Sequence, residues 1–129
     1  MSAPEFALQK AICQTLDAAY PAVLYWAVPN GAALCAARDD EGRKRAQREM
    51  SKLKVTGLRP GVPDLALYWP GGHALVEIKS ATGRIMPGQI AVHLRLKDLG
   101  VRVAVWRSLE DMREDLAEWG VPNRIARAA

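Results

Sequence analysis

The sequence is poor in the residues that cross-link a protein or anchor it in a membrane. Its only cysteines are Cys13 and Cys35, too few for a disulfide framework and without the paired Cys/His spacing of a zinc site. No apolar run approaches the roughly 20 residues that span a bilayer, and the start, MSAPEFALQKAI, lacks the basic and apolar segments of a signal peptide. These absences predict a soluble, cytoplasmic protein with reduced, buried thiols and no membrane partner.

What is present fits an ordinary globular protein. Hydrophobic residues make up 50% of the chain and charged residues 25%, close to the average for folded domains. Because a domain usually holds roughly 100 to 200 residues, and no repeat or linker is visible, we expect a single domain over residues 1–129.

Hydrophobic periodicity and turn residues divide the chain into helices and strands. The predicted order is a helix from Ser2 to Tyr20, a strand at 22–28, a basic segment with a helix at about 43–53, hairpin strands at 64–69 and 73–79, a helix at 87–100, a strand at 101–106, and a helix that Ser108 caps. This order predicts an α/β fold, a mixed sheet flanked by helices. The apolar run AVLYWAV predicts a buried first strand, and Trp26 and Tyr68 are expected in the core.

All of the excess positive charge lies in one stretch, residues 38–59, called here the basic segment. It holds eight lysines and arginines against four acids, whereas the rest of the chain has ten of each. Such clustering is typical of a surface that binds a polyanion, and a solvated helix with Glu/Arg pairs is an equally good interpretation. The candidate nucleic-acid contacts in this segment are Arg43, Lys44, Arg45, Arg48, Lys52, Lys54 and Arg59.

Three charged residues interrupt the two apolar hairpin strands, GVPDLALYW and HALVEIK. Glu77 and Lys79 share one face of their strand, about 7 Å apart, and Asp64 begins the neighbouring strand. Two converging carboxylates repel unless one is protonated or a cation lies between them, and hard oxygen ligands suit Mg²⁺ or Mn²⁺. With a lysine beside the metal, this set could hydrolyse phosphodiesters. Alternatively, Asp64 is a turn residue, and Glu77 and Lys79 are exposed partners.

At these residues the sequence resembles a known family. GVPD, followed by EIKS and then by a glutamine about ten residues later, is similar to the VRR-NUC (virus-type replication-repair nuclease) domain. That domain belongs to the PD-(D/E)xK, restriction-endonuclease-like superfamily, so the resemblance implies a sheet core in αβββαβα order. The likeness extends from about Glu5 to Leu116.

The resemblance also implies roles for individual residues. Asp64, Glu77 and the backbone carbonyl of Ile78 would bind metal, Lys79 would act on the attacking water, and Gln89 would help to position the site. Glu5 would approach the metal, or it only closes a capping box with Ser2.

Three further residues have open alternatives. Gln89 could be an ordinary first-turn residue. Arg84 is a candidate phosphate contact or an exposed loop cation, and His93 could meet a phosphate or be structural.

The implied activity is that of an Mg²⁺- or Mn²⁺-dependent DNA endonuclease. Stand-alone relatives act on branched DNA such as flaps, splayed arms and four-way junctions, often as homodimers, and such a repair-type nuclease is at home in bacteria or their phages. Two alternatives stay open: a non-catalytic basic nucleic-acid-binding domain, and a nuclease of the same fold that cuts a sequence-specific duplex or RNA.

Overall fold

The computed structural model describes residues 1–29 and 39–124, and over these ranges the chain forms four helices and four strands. In chain order they are α1 (Ala3–Ala19), β1 (Leu24–Ala27), α2 (Asp40–Val55), β2 (Leu65–Trp69), β3 (Gly72–Ile78), α3 (Pro87–Asp98), β4 (Val103–Trp106) and α4 (Leu109–Glu118). The α/β prediction is confirmed. The observed order differs from the αβββαβα order by α2, which occupies the basic segment, where a helix was expected. Among the described residues no helix is both long and apolar enough to cross a membrane.

The sheet is mixed, with the strands side by side in the order β1-β2-β3-β4. β1 pairs antiparallel with β2 and β2 with β3, whereas β3 and β4 are parallel. The tight turn between β2 and β3 permits an antiparallel pair, and the parallel pair needs the longer crossover that α3 supplies. Gly71, with φ 91°, takes the left-handed turn position that glycine adopts without strain.

The hydrophobic core lies between one face of the sheet and helices α1 and α4. Ile12 and Leu16 of α1 and Met112 and Leu116 of α4 are fully buried there. They meet the alternate strand residues that point to this face, namely Leu65, Leu67, Ala74, Val76, Ile78 and Trp106. Because strand side chains alternate, Asp64, Glu77 and Lys79 are left to the opposite face, which α3 partly covers.

The expectation that β1 is buried is wrong, and so is the core assignment of two aromatic residues. Leu24 is 67% exposed, Trp26 47% and Tyr68 45%. The physical reason is coverage: β1 and β2 pack one face on the core, and none of the described helices packs extensively on the other face of these two strands. Trp69, Trp106 and Trp119 do pack in or against the core, as expected.

Side-chain caps begin three of the helices. The hydroxyl oxygen of Ser2 accepts a hydrogen bond from the Glu5 N–H, and that of Ser108 accepts one from Asp111. Asp39 caps α2 through the Gly42 N–H, which satisfies an otherwise unpaired donor and begins α2 three residues before the predicted start. Cys35 and residue 38 lie outside the described residues, and Cys13 is half-buried.

Gly61 packs the loop before Asp64 against the start of α3. Its φ is +84°, and a methyl group there would lie 2.7 Å from the Gly88 carbonyl oxygen. We expect Gly61→Ala to lower the free energy of unfolding by about 1–3 kcal/mol, since it adds a steric clash to backbone strain. Chemical denaturation measures the loss. Gly100→Ala is the matched control, because Gly100 has φ +83° and open space; equal losses in the two variants would contradict the clash.

Candidate active site

The pairing of β2 with β3 brings Asp64 and Glu77 together. Leu65 lies opposite Val76, so Asp64, one residue earlier, falls opposite Glu77. The Asp64 backbone is held by the Val28 N–H, which donates to its carbonyl oxygen at 2.8 Å. The Asp64 carboxylate accepts a hydrogen bond from the Ile78 N–H, also at 2.8 Å. Asp64 therefore lies against the peptide segment that carries Glu77 and Lys79.

Glu77 is the most deeply buried ionisable residue on this face of the sheet. It is only 1% exposed, and one carboxylate oxygen, Oε2, finds no hydrogen-bond partner among the described residues. Burial raises the pKa of the Glu77 carboxyl to about 9; hydrogen bonding to Asp64 and the charge of Asp64 act in the same direction, whereas the charge of Lys79 lowers it. A buried carboxylate with an unsatisfied oxygen is costly unless a proton or a cation compensates it.

Gln89 uses both ends of its amide to join α3 to this cluster. Its Nε2 donates to Glu77 Oε1 at 2.5 Å, and its Oε1 accepts from the Met86 N–H at 2.9 Å. The second bond satisfies a free donor at the helix start. Gln89 is thus a first-turn residue that also contacts Glu77, and its role in positioning the site stays a prediction.

Lys79 is buried with the two carboxylates, although lysine rarely leaves solvent. It is 8% exposed, and its backbone N–H donates to the Trp106 carbonyl at 3.1 Å, which extends the pairing of β3 with β4. This register points its side chain to the same face as Glu77. The alternative in which Glu77 and Lys79 are exposed surface partners does not fit their burial.

Glu5 approaches the cluster from α1. Its backbone N–H donates to the Ser2 hydroxyl at 3.3 Å, so the cap exists, but its carboxylate points elsewhere. A methyl group on Gly83 would lie 3.2 Å from Oε1 of Glu5, which places this carboxylate beside the loop that follows Lys79. Its charge also raises the pKa of Glu77.

Two residues near the site carried little or no sequence signal. His93, one turn after Gln89, is 7% exposed, and its Nε2 is unpartnered within the described ranges. Burial and the charge of Lys97 lower the pKa of His93, and the charge of Asp64 opposes them. Arg107 donates to the carbonyl oxygens of Ser80 and Gly83, at 2.8 and 2.6 Å, and so holds the loop after Lys79. A single arginine after a strand has no distinguishing pattern, so only contacts reveal it.

The candidate DNA-binding cations lie on the surface, apart from the buried cluster. Those of α2 are exposed, and α2 buries none of its residues fully. Arg43 pairs with Asp40, and Lys52 with Glu49 at 3.6 Å, so part of the solvated-helix interpretation also applies. Arg84 follows Gly83 in the loop beside Glu5 and is exposed, as is Arg59. The exposed members of the set are Arg43, Lys44, Arg45, Arg48, Lys52, Lys54, Arg59 and Arg84.

The donor atoms present suit a hard divalent cation. Two carboxylates converge, one of them has a buried oxygen without a hydrogen-bond partner among the residues described, and the Glu5 carboxylate lies beside the loop after Lys79. No group of three or more His, Cys, Asp and Glu side chains arranged to hold a metal occurs in the described part of the chain. A complete shell would therefore need a backbone carbonyl, water or phosphate oxygens in addition, which is how Mg²⁺ is usually bound.

Comparison with known proteins gives one finding of similarity. Neither the search of curated proteins nor that of solved structures found a match. Residues 3–110 match the model of the VRR-NUC domain, a span that contains Glu5, Asp64, Glu77, Lys79 and Gln89. The chain therefore belongs to the VRR-NUC family, a membership that implies a nuclease of the PD-(D/E)xK type acting on DNA, in a family that is generally metal-dependent.

Proposed function

We propose that this protein is a divalent-metal-dependent DNA endonuclease that hydrolyses phosphodiester bonds and selects branched DNA. The observation that carries the proposal is the buried meeting of Asp64, Glu77 and Lys79, with one Glu77 oxygen unpartnered in the described structure. An unpaired buried acceptor costs free energy, so a purely structural network would have to satisfy that oxygen with a proton shared between Glu77 and Asp64. The non-catalytic alternative therefore predicts a protonated Glu77 that binds no metal, whereas our proposal predicts that a cation takes the place of the proton.

Each residue has a distinct task. Asp64, Glu77 and the Ile78 carbonyl would hold Mg²⁺ or Mn²⁺, with Glu5 nearby. When bound, the metal stabilises negative charge that develops on the phosphoryl oxygen. Lys79 orients the attacking water by hydrogen bonding.

Other residues position the site and hold the substrate. Gln89 holds the Glu77 carboxylate in place. The exposed cations of α2, with Arg59 and Arg84, contact the phosphate backbone, which orients DNA without reading its sequence. A twofold homodimer would supply the second site that symmetric cutting of a four-way junction requires.

The first test is cleavage of labelled flap, splayed-arm, four-way and linear duplex DNA, and of a matched RNA, in Mg²⁺, in Mn²⁺ and in EDTA. We expect metal-dependent cutting of branched DNA near the branch, and linear duplex cut at least about tenfold more slowly. Cutting of one linear duplex sequence, or of RNA alone, would instead support the same-fold alternatives. Absence of cleavage of every substrate in either metal would refute the proposal.

A further inference from the structure

Trp26, Tyr68 and His73 form a row of stacked rings on the open part of the sheet. The ring centroids are 5.4 Å apart at both steps, and the planes are inclined by 8° and 19°. All three side chains are exposed. The rings cover part of one another's faces, and the area that they leave exposed is a contiguous aromatic patch of the kind that marks a binding surface.

The row lies on the same face of the sheet as the candidate active site. Tyr68 is four residues after Asp64, and His73 is four residues before Glu77, so alternation points all four side chains the same way. Trp26 lies opposite the residue midway between Asp64 and Tyr68. Trp26 is therefore only about 7 Å along the sheet from Asp64, whereas Tyr68 is about 13 Å away. The row begins beside the carboxylates and leads away from them.

Helix α3 lies beside β3, the strand that carries Glu77 and His73. Near its start Gln89 contacts Glu77, and near its end Lys97 lines an open cleft of about 540 Å³ together with His73 and Gly72. The start of α3 is therefore beside the carboxylates, and its end brings Lys97 to His73, the ring of the row that lies on β3.

Unpaired nucleotides fit the chemistry of this aromatic surface and the lysine beside it. Bases stack on aromatic side chains without regard to sequence, and lysines meet the backbone phosphates. A second copy of this chain fits less well, because a protein seated on Trp26 would lie beside Asp64 and obstruct the approach of a duplex to the site.

We propose that the row formed by Trp26, Tyr68 and His73 is a stacking surface for a single-stranded DNA segment next to the scissile phosphate. Lys97 contacts the phosphate backbone of this segment. This inference rests on the proposed nuclease function and refines it. It selects flaps and splayed arms, which carry an unpaired strand, over fully paired four-way junctions and linear duplex.

The test separates binding from cleavage. In a Lys79→Ala background without metal, fluorescence anisotropy would measure affinity for a labelled single-stranded oligonucleotide and for its duplex. Trp26→Ala and Tyr68→Ala are each expected to weaken single-strand binding by about 5- to 150-fold, with duplex binding unchanged. Trp26→Phe, which keeps a ring, should restore most of the affinity. Phe6→Ala is the matched control, since Phe6 is an exposed aromatic residue of α1, the helix that packs on the other face of the sheet.

Two results would overturn the stacking surface. One is single-strand binding that survives the double variant Trp26→Ala with Tyr68→Ala. The other is a change of oligomeric state in the alanine variants, by light scattering, that alone accounts for the lost binding; this would make the row an interface between copies. If the wild type cuts no substrate but binds single strands through Trp26 and Tyr68, the stacking surface stands and only the nuclease proposal fails.

Discussion

Lys79→Ala is expected to lower the cleavage rate of branched DNA by about 100- to 10,000-fold at saturating substrate and metal. The reason is that Lys79, 8% exposed, is held on the same sheet face as the carboxylates, where the proposed mechanism has it orient the attacking water. Loss of the Lys79 side chain should leave the KM for DNA nearly unchanged, since we propose that the exposed cations of α2 make most of the contacts with the DNA backbone.

Single-turnover cleavage of a flap substrate measures the effect, and circular dichroism melting checks the fold. Lys10→Ala is the matched control, because Lys10 is an exposed lysine of α1 outside the site. A Lys79→Ala variant that is folded and cuts as fast as the wild type would remove Lys79 from the mechanism.

Glu77→Gln is expected to abolish cleavage while making the metal-free protein more stable at alkaline pH. In the folded protein the pKa of Glu77 is raised from its ordinary 4.5 to about 9, chiefly by burial. Between these values the unfolded chain has released the proton that the folded chain keeps, so stability falls as pH rises. The fall is at most about 1.4 kcal/mol per pH unit. The amide introduced by Glu77→Gln carries no charge at any pH. The free energy of unfolding of this variant should therefore not fall with rising pH in this range.

The titration of two other groups sets the pH range in which the effect of Glu77 on stability can be measured. The pKa of His93 is lowered from 6.5 by burial, so His93 contributes stability that is lost as pH falls below about 6.5, and this opposes the Glu77 effect there. The pKa of the Cys13 thiol is raised above 9.0, also chiefly by burial, and adds its own loss above that value. The Glu77 effect is therefore expected most clearly between about pH 6.5 and 8.5, where metal-free stability should fall by about 1–3 kcal/mol.

Bound Mn²⁺ should reverse the loss of stability that Glu77 causes at alkaline pH. Because a cation and a proton compete for the same carboxylate, Mn²⁺ is expected to raise the melting temperature of the wild type more at pH 8.5 than at pH 6.5, and EDTA to remove the increase. Glu77→Gln should show neither response.

The measurements are melting and urea unfolding across this pH range, with and without Mn²⁺. Glu114→Gln, a change at an exposed glutamate of α4, is the control and should behave as the wild type. Equal Mn²⁺ stabilisation of wild type and Glu77→Gln would show that Glu77 is not a ligand.

Local sequence signals were sufficient for the elements and for the central cluster. Caps such as Ser2 and Ser108 act within three residues, and turn residues such as Gly71 require their own backbone conformation, so both could be recognised without the fold. Asp64, Glu77 and Lys79 were recognisable because a charge in an apolar strand is costly and needs a reason.

Contacts between distant parts of the chain were not predictable in the same way. The exposed face of β1 was assigned to the core because an apolar run has the same pattern in an edge strand as in a central one. Three further contacts depend on which helices and strands pack together. They are the hydrogen bond from Gln89 to Glu77, the direction of the Glu5 carboxylate, and the two hydrogen bonds by which Arg107 holds the loop after Lys79.

The sequence by itself determined the α/β class, the family and the three ionisable residues of the hairpin, because periodicity, turn chemistry and motif spacing are properties of neighbouring residues. Only the tertiary structure decided that one Glu77 oxygen is buried without a partner in the described structure, that His93 and Arg107 border the site, and that Trp26 and Tyr68 face solvent. These depend on strand order and on the coverage of each sheet face, which are set by packing between residues far apart in the chain.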